Sequence, residues 1–136
     1  MNNGSKMESS IKVILYLIFA VSLITGINVL IGGALSLPEI SNVEATVDNE
    51  LRFFSIFWMA YGSFCFWVAR NLSKEHHFVP FIAIVFFLGG TARLISLIFV
   101  GMPTPLFIPA MALEIVLPPI IYLLYVKQRD LYSQKK

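Results

Sequence analysis

Residues 88–100 read LGGTARLISLIFV, an apolar stretch with a single charge, Arg93, near its centre. The stretch continues an apolar segment that begins near residue 78, and the whole segment is long enough to cross about 30 Å of membrane hydrocarbon as a helix. Arginine keeps its charge in proteins, and a charge inside hydrocarbon is costly unless it has a partner. The stretch therefore predicts a membrane-spanning helix and an opposite charge at the same depth elsewhere in the chain.

The composition of the whole chain favours a membrane protein. Of its 136 residues, 57% are hydrophobic and only 13% are charged, and the mean hydropathy is +0.78. We therefore predict an all-α membrane protein, a four-transmembrane-helix bundle that forms a single integral membrane domain over residues 1–136. The predicted helices cover residues of about 11–37, 49–70, 78–100 and 105–127.

The positions of lysine and arginine beside these helices predict the orientation, because positive residues accumulate in cytoplasmic loops. One side of the membrane has eight of them, which are Lys6, Lys12, Arg70, Lys74, Lys127, Arg129, Lys135 and Lys136. The other side has Arg52 at the edge of the acidic loop PEISNVEATVDNE, residues 38–50. We therefore expect both the N terminus and the C terminus to be cytoplasmic.

Several functional classes find no support in the sequence. The net charge is only +2 and the basic residues flank the predicted helices, so we expect no nucleic acid partner. His76 and His77 are adjacent but lack a third ligand, so we predict no metal site. No nucleotide or other cofactor motif is present in the sequence, and we expect no cofactor. The partner that the composition does predict is the lipid bilayer.

Helical spacing divides the predicted third helix into two faces. One face combines small residues with the charge, and its members are Gly89, Ala92, Arg93, Ser96 and Val100. Small residues let neighbouring helices approach closely in lipid, and a membrane charge is expected to face the protein interior. We therefore expect this face to point into the protein.

Glu114 is the predicted partner of Arg93. The turn GMPTP, residues 101–105, is short, so the third and fourth helices should be antiparallel neighbours. At 1.5 Å per residue, both charges lie about 12 to 14 Å from this turn. By the same count Asn28 and Tyr61 lie at similar depth, so we expect a buried polar cluster that joins all four helices. Its members are Arg93, Glu114, Asn28, Tyr61 and Ser96. The ion pair could serve to fix the helix register, or it could bind a ligand or move a proton.

Four segments together resemble a known family. They are ELRFFSIFWMAYG (50–62), GGTARLISL (89–97), the G-x-P of the turn after the third helix, and ALEIVLPP (112–119). These segments are similar to the bacterial four-helix membrane family catalogued as domain of unknown function 4345. The resemblance implies a multi-pass protein of the bacterial inner membrane and no established activity. Beyond the polar cluster it draws attention to Glu50, Arg52, Gly62, Gly90, Gly101 and Pro103.

These observations favour a non-enzymatic envelope factor. We expect it to act through helix packing with a membrane-protein partner or as a homo-oligomer, and to support the envelope barrier or drug resistance. One alternative is a small proton-linked transporter or binder of hydrophobic or cationic molecules, although Arg93 beside Glu114 would hinder cation exchange. A further alternative is an intramembrane lipid-modifying enzyme. A single carboxylate disfavours it, because acid–base catalysis usually needs a second titratable group nearby.

Overall fold

A computed structural model of the chain describes residues 3–133, with side chains described from Gly4 to Asp130. All regular secondary structure in that part is helical, and it contains no strand. Four helices are each long and apolar enough to cross a membrane. They are α1 (Asn3–Gly32), α2 (Ala45–Arg70), α4 (Val79–Phe99) and α5 (Phe107–Ser133). A short helix, α3 (Leu72–Glu75), and two 3₁₀ turns (Gly33–Ser36 and His76–Phe78) lie between them.

The predicted all-α, four-span class is therefore confirmed, and the chain is a multi-pass membrane protein. The orientation of its termini stays a prediction, and two of the lysines on which that prediction depends, Lys135 and Lys136, lie outside the described residues. The single domain over residues 1–136 also stays a prediction. By its internal contacts the chain divides into two compact units, Val13–Arg70 and a unit of Met1–Lys12 with Asn71–Lys136.

Helix α1 begins well before the apolar segment that predicts it. Its first turns are polar but locally supported, because Lys12 Nζ lies 2.7 Å from Glu8 Oε1 one helical turn away. The helix ends at Gly32, and Gly33 follows with a φ of 60°. Glycine adopts this left-handed conformation without the steric cost that a Cβ would bring. The chain then turns through Gly33–Ser36 into the loop before α2.

Within the unit Val13–Arg70, α1 and α2 approach each other closely at glycines. A Cβ at Gly62 would overlap the Ser22 hydroxyl, and a Cβ at Gly26 would overlap the Met59 side chain. Close approach at small residues is the usual basis of helix association in lipid, where the hydrophobic effect between helices is absent. Gly62, singled out by the family resemblance, is therefore a packing position.

In the second unit α4 and α5 are antiparallel neighbours. Gly90 lies against Glu114, where an added Cβ would come within 2.9 Å of the Glu114 Cβ and of the Ile115 Cδ1. Towards the other end of the hairpin, the His76 ring stacks on Tyr125 with ring centroids 6.2 Å apart. The absence of a side chain at Gly90 therefore sets how closely the two helices approach at the level of Glu114.

The predicted inward face of α4 is wrong. The buried residues of α4 are Val79, Ile82, Ala83 and Gly90. Gly89, Ala92, Ser96 and Val100 are instead exposed. The physical reason is the length of arginine, which reaches its partner from the border of the packed face. The helix can therefore turn Gly90 towards α5 and leave the other small residues pointing outward.

Candidate functional site

Arg93 and Glu114 form an ion pair between α4 and α5. Arg93 Nε donates a hydrogen bond of 2.7 Å to Glu114 Oε2. The guanidinium carbon also lies 5.6 Å from the centre of the Phe107 ring, a distance at which the ring face attracts a cation. The structure thus brings together the two charges that the depth count pairs.

The two partners differ strongly in exposure. The Glu114 side chain is 10% exposed, whereas that of Arg93 is 42% exposed. Among the described residues, the bond from Nε to Glu114 is the one hydrogen bond that Arg93 makes. The carboxylate is therefore enclosed, while the terminal Nη groups of the guanidinium keep donors for a further acceptor.

A small pocket of about 110 Å³ adjoins the guanidinium. It is lined by Arg93, Ser96, Leu97, Gly101, Pro103, Phe107 and Met111. Three residues that sequence reasoning singled out separately, Ser96, Gly101 and Pro103, thus share one pocket with Arg93. Small-molecule sites usually enclose about 300 to 1,000 Å³, so this pocket has room for a single chemical group rather than a whole ligand.

Arg52 organises a second charged centre, at the end of α1. Arg52 Nη1 donates to the carbonyls of Leu30 at 2.6 Å and Ile31 at 3.1 Å, and Nε donates to Asp48 Oδ2 at 2.8 Å. Asp48 Oδ1 in turn accepts 2.8 Å from the backbone N–H of Ala34. The last carbonyls of a helix lack intrahelical donors and attract cations, so Arg52 and Asp48 together cap α1.

Sequence reasoning singled out Arg52 but missed Asp48. The available signal was local: Asp48 and Arg52 are four residues apart on one helix, the spacing of a favourable ion pair. Glu50, the other family-like residue of this turn, is exposed on the surface of α2. The geometry therefore assigns the capping role to Asp48 and Arg52 and gives Glu50 no part in it.

The remaining predicted polar residues lie in the unit Val13–Arg70. Asn28 Nδ2 donates to the Ser36 carbonyl at 3.4 Å. Tyr61 stacks on Trp58 with ring centroids 5.8 Å apart, and Trp58 Nε1 donates to Thr25 Oγ1 at 2.9 Å. These contacts are all internal to the unit, so a polar layer shared by all four helices stays a prediction.

The chain belongs to the family described as domain of unknown function DUF4345, whose model matches residues 10–125. This range contains both charged centres, and the match confirms the resemblance seen in the sequence. No curated protein and no solved structure matches the chain. The description of the family assigns no activity.

Proposed function

We propose that this protein is a non-enzymatic assembly factor of the bacterial inner membrane. In this proposal it contacts another membrane protein through the outer face of α4, defined here as Gly89, Ala92, Arg93 and Ser96, and thereby supports the envelope barrier. The observation that carries the proposal is the half-exposed guanidinium of Arg93 on a helix that can span the membrane. Its exposed neighbours on this face are all small.

The energetics favour a partner at this face. An arginine at the centre of a membrane helix costs at least about 2.5 to 3.5 kcal/mol on insertion scales. Glu114 offsets part of this cost, but through the Nε group alone. A partner helix with hydrogen-bond acceptors at this depth would engage the Nη groups. Gly89 and Ala92 would let its backbone come close.

The same geometry disfavours the alternatives. Proton-linked export of a cation needs a carboxylate that the cation can reach, yet Glu114 is enclosed and bonded to Arg93. Intramembrane acid–base catalysis usually employs a second titratable group within reach, and the described partner of Glu114 is an arginine. Proteoliposomes that contain the purified protein should therefore show no proton-coupled uptake of a dye cation, and clear uptake would replace this proposal by transport.

Site-specific photo-crosslinking tests the assembly role directly. No atom lies within 4 Å of a Cβ built at Gly89, so a photoreactive residue at this position should leave the fold intact. Ile98 is a matched control, because it is exposed on the same helix about 180° around it. We expect position 89, but not position 98, to crosslink a distinct membrane protein. Equal labelling at both positions, or none at position 89, would contradict the proposal.

Two further measurements test the setting of this role. A reporter that works only outside the cytoplasm should be active when inserted within residues 39–48 and silent when fused after Lys136. The reverse pattern would overturn the proposed orientation.

Deletion of the gene should raise envelope permeability and drug susceptibility. Unchanged permeability together with no crosslinked partner would leave the envelope role without support.

A further inference from the structure

A larger pocket lies elsewhere in the same unit, beside α3 and the end of α5. It encloses about 270 Å³ and is lined by Leu72, Ser73, His76, Tyr125, Gln128 and Arg129. Tyr125 lies 11 residues beyond Glu114 along α5, which corresponds to about 16 Å of helix. The pocket is therefore distinct from the Arg93 site, at the end of the span where the chain becomes polar.

Gln128 is the most informative residue of this pocket. The residue as a whole is 4% exposed, and among the described residues its amide makes no hydrogen bond. The amide is not sealed off, because among the described residues Thr104 Oγ1 is the one inaccessible side-chain polar atom that lacks a partner. Since Gln128 lines the pocket and is otherwise enclosed, the pocket is where its amide can meet a ligand.

The other polar residues of the pocket supply donors and positive charge. Arg129 contributes a guanidinium, His76 a ring N–H, and Tyr125 and Ser73 contribute hydroxyl groups, while none of the six lining residues is acidic. The nearest described carboxylate to Arg129 is that of Asp130 at 3.7 Å. Both of these side chains are well exposed, and such pairs are weak in water. The lining therefore suits an anion with several acceptor oxygens.

We propose that this pocket binds the phosphate head group of an anionic membrane lipid. Basic pockets between membrane helices near the surface are known to hold such head groups. The volume is below that of a typical small-molecule site, which fits a head group whose acyl chains remain in the bilayer beside the apolar surfaces of α4 and α5. This inference is independent of the assembly role proposed above.

Native mass spectrometry of the full-length protein in detergent can test this site with phosphatidylglycerol and phosphatidylcholine. We expect the wild-type protein to bind phosphatidylglycerol about tenfold more tightly than phosphatidylcholine. Arg129→Gln should weaken the binding of phosphatidylglycerol about tenfold, the size of effect that follows from the loss of a charge-assisted hydrogen bond. Gln128→Met, which removes the amide but keeps the length, should weaken it about fivefold. Lys127→Gln is the matched control, because it removes the same charge from the same turn of α5, about 200° around the helix, where the residue does not line the pocket.

The contrast between these variants decides the outcome. If Lys127→Gln weakens binding as much as Arg129→Gln, the attraction is a diffuse surface effect and the pocket is not the site. Equal affinity for the two lipids would also overturn the proposal. If inorganic phosphate alone raises the melting temperature as much as phosphatidylglycerol does, the ligand is a soluble phosphate and not a lipid. Should Arg129→Gln fail to fold, Gln128→Met and Tyr125→Phe each remove one polar group and test the same site.

Discussion

The two arginine–carboxylate pairs of this protein show how similar chemistry serves different ends. Arg52 and Asp48 belong to one helix and are 39% and 32% exposed. Arg93 and Glu114 belong to two helices, and here only the arginine is exposed to a comparable degree. Exposure of the arginine therefore does not distinguish the pairs. The difference lies in the carboxylate, which is accessible at the end of α1 and enclosed between α4 and α5.

The pairs also differ in how completely the arginine is used. Arg52 makes three described hydrogen bonds, two of them to the carbonyls that end α1, and these use three of its five N–H donors. Arg93 makes one. Arg52 is held by backbone carbonyls at a helix end and so has a structural role, whereas four of the five donors of Arg93 have no described acceptor and can bind a partner. This contrast is the reason that the proposed partner is assigned to α4 and not to the loop before α2.

Loss of Glu114 should have the largest effect. Glu114→Ala leaves Arg93 without its counter-charge in the membrane, and we expect a loss of about 3 kcal/mol in the free energy of unfolding. Arg93→Ala should cost about as much, since it leaves the enclosed carboxylate unpaired. The measurements are the amount of folded protein in the membrane and unfolding by sodium dodecyl sulfate in mixed micelles.

The double variant Arg93→Met, Glu114→Leu is the control for that prediction. It removes both charges, so abundance should recover. If the double variant is abundant but position 89 no longer crosslinks the partner, the ion pair binds the partner as well as stabilising the α4–α5 hairpin. If the crosslink returns with abundance, the pair is purely structural. If Glu114→Ala and Arg93→Ala were both as stable as the wild type, the interhelical ion pair would not be the more important of the two arginine–carboxylate pairs.

Neighbouring glycines in α4 offer the next test. Gly90→Val places side-chain atoms against the backbone of Glu114, and overpacking of this kind costs about 1 to 3 kcal/mol. Gly89→Val is the matched control, because its Cβ would meet no atom within 4 Å, and it should change stability by less than about 0.5 kcal/mol. The same unfolding assay measures both. Equal losses would mean that α4 packs on α5 through a different face.

Removal of the α1 cap should have a smaller effect than removal of the interhelical pair. Arg52→Ala frees two carbonyls at a helix end, where water can reach them. We therefore expect about 1 to 2 kcal/mol, the range for hydrogen bonds to charged groups and for helix caps. Arg52→Lys should recover part of this loss, since an ammonium group keeps the charge but cannot reproduce the fork of donors. A greater loss for Arg52→Ala than for Glu114→Ala would reverse the order of the two pairs.

The hydrogen bond from Trp58 to Thr25 should contribute least. Interhelical hydrogen bonds in membrane proteins average about 0.6 kcal/mol in double-mutant cycles. We expect Trp58→Phe and Thr25→Val to show a coupling of this size, and the double variant to cost less than the sum of the two single variants. Simple additivity would show that the bond contributes nothing to the packing of α1 on α2.

Prediction from sequence succeeded where the signal is a property of the segment. Apolar length alone identifies the four spans, and a short turn with two charges at equal depth identifies the contact of Arg93 with Glu114. It failed to predict which face of α4 packs on α5. The helical wheel groups Arg93 with Gly89, but the arginine side chain is long enough to reach Glu114 from the edge of the packed face. Asp48 was missed because its acceptor role depends on the turn at Gly33, which places the Ala34 N–H beside it.

The amino-acid sequence by itself determined the class of this protein, its four membrane helices and the pairing of Arg93 with Glu114. These features follow from the cost of exposing apolar surface to water and charge to lipid, and that cost acts on each segment separately. Only the tertiary structure decided which face α4 turns to α5, how Arg52 and Asp48 close α1, and that Gln128 lies enclosed in a basic pocket. These features depend on atoms from distant segments meeting at distances of a few ångströms, and the periodicity of one helix does not specify them.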